Sequence, residues 1–146
     1  MVKKIMLFMV FATFFGCQKN YKELKSCNLQ VDNSVAYFEG KIYSGSCNLS
    51  YNDTLVWKTL TYKRGKITKE IGYYLPGGEV EYIGKLKNGI MMGDFIAYYP
   101  NGNVSIEGYL NDGEFDGDWI YYDDDGSLNK TLVWDKGVQL DSIPHK

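Results

Sequence analysis

The chain has 146 residues, a length that suits one domain, with 16 basic and 18 acidic side chains and a formal net charge of −2. That balance excludes the basic footprint of a nucleic-acid binder. Tyr at 13 and Gly at 16 make a composition of strands and tight turns, not helices, and the single His, His145, excludes a zinc cluster of the Cys/His kind.

Met1-Val2-Lys3-Lys4 is positively charged, Ile5 to Phe15 carries no charge, and Gly16-Cys17 follows. An apolar run of about 7–15 residues is short for a bilayer span and reads as a signal peptide; the alternative is an uncleaved N-terminal anchor helix. The segment resembles a bacterial lipoprotein signal, in which a small residue precedes a Cys that is lipidated and becomes the mature N-terminus. Phe14 and Phe15 depart from the usual lipobox, which prefers Leu three residues before the Cys and a small residue two before it. The resemblance implies a signal peptide at 1–16, lipid on Cys17, and a protein held in the bacterial cell envelope. Gln18, in place of Asp, implies the outer membrane.

Cys27 and Cys47 are the other two thiols. In an oxidising compartment they form a candidate disulfide that staples the N-terminal segment onto the first hairpin; the alternative is two unpaired thiols, one of them a small core residue. Residues 17–36 read as a tether, 37–140 as the folded domain and 141–146 as a polar tail, with His145 in it.

The domain is written in a fixed period. Gly65, Gly89, Gly113 and Gly137 are 24 apart, as are Gly78, Gly102 and Gly126. A third series, Gly45, Gly93 and Gly117, has Lys69 where its missing member belongs. Tyr74, Tyr98 and Tyr122 make a matching column, and no gap is needed from Gly45 to Leu140. Four units follow: 45–68, 69–92, 93–116 and 117–140. Such self-similarity signals an array in which each unit packs on the next.

Within a unit, Leu75-Pro76-Gly77-Gly78, Tyr99-Pro100-Asn101-Gly102 and Asp123-Asp124-Asp125-Gly126 share one slot. Each is predicted to be a three-residue hairpin loop, a type I turn closed by a left-handed Gly. The other Gly series marks the opposite turns, so each unit is two short strands of an antiparallel meander. Alternation in Asn103 to Leu110 supports strand. Pairing across Pro100–Gly102 predicts Ile96, Tyr98, Val104, Ile106 and Leu110 on one face, with Phe95, Ala97, Tyr99, Ser105 and Glu107 on the other. The fold class is all-β: an elongated single-layer antiparallel meander.

The pattern Gly-Asp-aromatic-x-x-Tyr-x-x-x-Gly-x-Val-x-x-x-Gly-x-Leu-x-x-Gly, clearest over 69–140, resembles the bacterial MORN-repeat variant family. Tyr43-Ser44-Gly45 would be its divergent opening unit. The resemblance implies a scaffold or association surface, and some members of the family carry an antitoxin label. The repeated Gly-x-Gly of the MORN consensus proper is missing, so binding of lipid headgroups is not implied.

Catalytic chemistry finds little support. His145 follows Pro144 in the tail, away from any nucleophile. Asp112, Glu114, Asp116 and Asp118 alternate and Asp123-x-Asp125-Gly126 is a fragment of a calcium loop, but no bidentate Glu follows at the required distance. These acids read as solvated turn residues. Lys58, Lys63, Arg64, Lys66 and Lys69 are gathered early in the array, giving a basic-to-acidic gradient able to orient a partner. The sequence therefore predicts a membrane-anchored protein-interaction module, with no catalytic residue, metal or cofactor. Its candidate surface is Phe95, Tyr99, Trp119, Tyr121, Asp123, Asp124 and Asp125. The alternative is an antitoxin or immunity protein that neutralises a toxin.

Overall fold

The computed structural model describes residues 27–52 and 54–145. The expectations for the signal segment 1–16 and for lipid on Cys17 lie outside the described residues. Twelve strands follow: β1 (Gln30–Asp32), β2 (Val35–Phe38), β3 (Lys41–Ile42), β4 (Gly45–Ser50), β5 (Val56–Lys63), β6 (Lys66–Tyr73), β7 (Val80–Lys87), β8 (Ile90–Tyr98), β9 (Val104–Asn111), β10 (Glu114–Tyr122), β11 (Leu128–Asp135) and β12 (Val138–Pro144). β4 to β12 form one nine-stranded antiparallel meander, and β1 to β3 a separate three-stranded sheet. Cys27 is disulfide-bonded to Cys47 on β4, across a sequence separation of 20.

The two rows of turns are built differently. Arg64-Gly65, Asn88-Gly89, Asp112-Gly113 and Lys136-Gly137 have positive φ at both residues, the two-residue hairpin loop whose twist matches that of its strands. Three of their glycines also donate to an earlier strand or loop: Gly65 N to Tyr43 O at 2.6 Å, Gly113 N to Met91 O at 2.9 Å and Gly137 N to Phe115 O at 2.8 Å. On the opposite side, Gly102 N donates to Tyr99 O and Gly126 N to Asp123 O, each at 2.9 Å, as a type I turn requires. Tyr99 N to Asn103 O and Asp123 N to Ser127 O close these as three-residue loops.

The loop at Gly78 departs from that plan. Tyr74 N donates to Glu79 O at 2.9 Å, so Leu75–Gly78 is one residue longer than its counterparts, and its Leu75–Pro76 peptide is cis. The register explains the extra residue. Tyr98 pairs with Val104 and Tyr122 with Leu128, but it is Tyr73, not Tyr74, that pairs with Val80. A one-residue slip in β6 therefore breaks the gap-free spacing, and Tyr74 leaves the column predicted for it.

Its cause lies at the other end of the strand. In β8, Met92, Gly93 and Asp94 together oppose Lys85, and in β10, Gly117 to Trp119 oppose Gly108. These wide bulges run through Gly93 at φ 103° and Gly117 at φ 72°, a backbone that costs little only for Gly. β6 carries Lys69 at the matching place and keeps only the smaller irregularity at Thr68. β12, with Asp141 there, does the same at Leu140.

Bulges also overturn the predicted faces. Tyr98 opposes Val104 but Ala97 opposes Ile106, so Ser105 is extruded and parity flips beyond it. Ile106 and Leu110 thus lie with Phe95 and Ala97, while Glu107 joins Ile96. The same extrusion occurs at Trp57, Glu81 and Asn129. Two cross-sheet rows result. One runs Leu60, Glu70, Gly84, Phe95, Gly108; the other, on the opposite face, runs Thr59, Ile71, Ile83, Ile96, Glu107, Ile120, Thr131, Ile143.

The predicted domain ends also shift. β1 and the start of β2 fall inside the expected tether 17–36, and β12 carries the sheet to Pro144, into the expected polar tail. His145 N donates to Asn129 O at 2.9 Å and its Nε2 lies 2.9 Å from Thr131 Oγ1, extending the ladder by one rung. The two edges of the large sheet differ. On β4, the carbonyl of Ser46 accepts from Tyr43 Oη at 2.8 Å and the disulfide holds Cys27 against the strand at Cys47, so earlier chain covers this edge. On β12, the Asp141 carboxylate takes the N–H of Ser142 at 2.7 Å and Pro144 has no N–H to offer.

Candidate interaction face

Among the described hydrophobic residues only Ala36, Cys47, Leu110 and Trp119 are buried, because one sheet cannot enclose a core. The apolar side chains instead pack sideways along the strands. On the aromatic face Tyr82 stacks on Phe95 at 5.9 Å between centroids, Phe95 meets Trp119 at 5.8 Å, and Phe115 lies 4.1 Å from Trp119 and 5.0 Å from Trp134. Such ring pairs add about 0.5–1.5 kcal/mol each beyond area burial. Glycines make room for the rings. A Cβ on Gly108 would lie 2.4 Å from the Trp119 ring and one on Gly72 2.2 Å from Tyr82, whereas one on Gly84 would meet the end of Met91 at 3.3 Å and Phe95 at 3.5 Å.

Trp119 is therefore the floor of the face and not its contact surface. It is 2% exposed, and its indole N–H donates to Tyr109 O at 3.1 Å. Phe115, at 36%, is the most exposed ring of the series. Phe95, Ile106, Phe115, Trp119 and Tyr121 line an open groove of about 520 Å³ here. Of the predicted surface residues, the structure gathers Phe95, Trp119 and Tyr121 into this groove. Tyr99 and the acidic turn sit elsewhere, in the row of three-residue loops.

That loop row is tied internally. Tyr99 Oη donates to Tyr122 O at 2.9 Å, and the side-chain amides of Asn101 and Asn103 donate to Asp124 O at 2.7 and 2.9 Å. Asp123 accepts from Asn129 Nδ2 at 2.7 Å, and Asp125 accepts from Ser127 N at 2.8 Å. The hydrogen bonds from Ser127 lower the Asp125 pKa below its ordinary 3.8. These carboxylates organise the turn, and among the described residues no group of three or more His, Cys, Asp or Glu is placed to hold a metal ion.

Sequence reasoning missed a polar cluster on the same face. Glu70 occupies the cross-sheet row of Phe95, where it accepts from Lys58 Nζ at 2.6 Å and from Tyr82 Oη at 2.5 Å. Burial works against the Lys58 charge, but hydrogen bonds and attraction to Glu70 and Tyr82 outweigh it and raise the ammonium above its ordinary 10.5. Burial first, then the bond to Glu70, raises the Tyr82 hydroxyl above 10.0. On the opposite face Glu107 accepts from Tyr122 Oη at 2.6 Å, and that bond, with burial, raises Tyr122 as well. Phe115 was also missed as the ring that packs on Trp119, and Trp134 as its neighbour on the other side. The bulge at Gly117 is what brings the Phe115 ring over Trp119, and no local spacing records that approach.

The fold and its face define an all-β meander protein whose apolar surface lies along a sheet and not in an enclosed centre. No protein-family model matches the chain, and no curated protein sequence matches it.

Proposed function

We propose that this protein is a membrane-anchored, extracytoplasmic interaction module of MORN-repeat type, in which four 24-residue units form an elongated single-layer scaffold. One observation carries the reading. The ring series from Tyr82 to Trp134 lies on a sheet face with an open groove, and its outermost ring, Phe115, is exposed. Apolar surface of this kind marks contact sites on other proteins. The fixed rows of turns support a scaffold role, since they hold the face in one shape before a partner arrives. The polar turns, bonded to themselves, frame it.

A photo-crosslinking side chain placed at Phe115 in the native envelope tests the reading. One defined protein adduct is expected, lost in Tyr121→Lys while the fold is retained. Adducts from Tyr109, on the opposite face, with none from Phe115 would sink it. The anchor is tested separately: Cys17→Ser should move the protein from the membrane to the soluble fraction.

A further inference from the structure

Away from the aromatic face, the β1–β3 sheet docks against the Arg64-Gly65 turn. Ala36 N donates to Gly65 O at 2.7 Å, Gly65 N donates to Tyr43 O at 2.6 Å, and Arg64 N donates to Ser44 Oγ at 2.8 Å. The fit is close, for a Cβ on Gly65 would come 2.4 Å from Val35. Beside this junction lies a cleft of about 660 Å³. Its size falls within the range of about 300–1,000 Å³ typical of small-molecule sites.

The lining is two-sided in character. Val31, Ala36, Tyr62 and Ile67 give apolar walls, and Lys66 and Asn88 stand among the polar residues. Lys63, Arg64 and Lys87 lie on the same pair of turns as Lys66, around an adjoining hollow. The ion pairs among the described residues are Lys58–Glu70 and Lys85–Asp94, and neither uses these four cations. Lys66 Nζ has a neutral neighbour, Asn88 Oδ1, at 3.4 Å. Asp32 and Glu39, the acids of the docked sheet, do not line the cleft. An apolar hollow with a mouth of a single sign of charge selects a ligand with an apolar body and an anionic end.

We propose that this cleft binds a small amphiphilic carboxylate, its apolar body against Val31, Ala36, Tyr62 and Ile67 and its carboxylate at Lys66. The cleft shares no lining residue with the groove of the aromatic face: it lies where the N-terminal sheet meets the β5–β6 and β7–β8 turns of the meander. Exposed charges alone bind weakly, so the apolar walls supply affinity and the lysine supplies the choice between anion and neutral ligand.

Calorimetric titration of the purified protein tests this, using sodium decanoate below its micelle concentration, with 1-decanol and acetate as controls. Decanoate should bind saturably at one site, more tightly than decanol, with acetate showing no saturation. Lys66→Gln should weaken decanoate by about fivefold, the upper end for a solvent-accessible ion pair, and leave decanol unchanged. Val31→Glu, at a residue 66% exposed and so harmless to folding, should weaken both. Amide shifts on adding decanoate should centre on Ala36, Ile67 and Asn88. Absence of saturable binding overturns the proposal, as does equal affinity for decanol and decanoate with Lys66→Gln silent. Shifts centred on Phe115 and Trp119, or displacement of decanoate by an acidic peptide at lower concentration, would overturn it as well.

Discussion

β6 and its counterparts β8 and β10 occupy equivalent places in the meander, yet they differ at one residue with consequences along the whole strand. Where Gly93 and Gly117 stand, the backbone takes positive φ and a wide bulge fits, so β8 and β10 each run to 9 residues. Where Lys69 stands, β6 has 8 residues, and the displaced residue reappears in the loop before Glu79. The slip turns Ile71 to the isoleucine face and puts Glu70 in the row of Phe95. A ring series thus gives way to an ion pair through a change of register, with no change in chain length. In a period-two structure, one glycine decides which chemistry a face displays.

The largest test of this contrast removes the ring that β6 lacks. Trp119→Ala should cost about 3–5 kcal/mol in urea unfolding, the range for emptying a buried aromatic site. Gly108→Ala comes next, because its Cβ would enter the Trp119 ring at 2.4 Å, whereas that of Gly84→Ala meets the flexible end of Met91 at 3.3 Å and Phe95 at 3.5 Å. A loss of about 1–3 kcal/mol is expected for the first and under about 1 kcal/mol for the second. Equal losses would show that the rings do not rest on these glycines.

Copying β6 into β10 with Gly117→Lys should cost about 1–3 kcal/mol if the bulge persists in a left-handed conformation. If the strand slips instead, cross-strand NOEs of Ile120 to Glu107 should vanish, which would reproduce β6 by a single substitution. Retention of both stability and register would break the comparison.

A smaller effect concerns pH. Tyr82 and Lys58 hold their protons more tightly when folded, so their contribution is complete below their ordinary values of 10.0 and 10.5 and is lost as pH rises through the higher folded values. Stability should therefore decline above about pH 10, and Glu70→Gln should let Tyr82 ionise earlier in an absorbance titration, though burial still holds it raised. The smallest change in stability is expected at β12. Asp141→Ala should leave unfolding within about 0.5 kcal/mol, as surface changes do. Light scattering should nonetheless detect association once the Ser142 N–H is freed on the open edge.

Much of the architecture was legible in the residues. Tyr-rich alternation and recurring Gly marked strands and turns, since only left-handed hairpin positions demand Gly at such regular places. The three-residue loops at Pro100–Gly102 and Asp124–Gly126 were readable for that reason. The site was less so. Phe95, Trp119 and Tyr121 are nameable from the pattern, but the pattern places Trp119 on the surface, because nothing local shows that Phe115 and Gly108 enclose it.

Residue pattern alone was enough for the all-β class, the meander order and the turn positions, all properties set within a few residues of the chain. The faces, the slip in β6, the Lys58–Glu70–Tyr82 cluster and the docking of the N-terminal sheet emerge only once the strands are paired. Bulges are the reason. Each extruded residue inverts the parity of everything beyond it, and whether it is extruded depends on the pairing with the neighbouring strand, which no local pattern records.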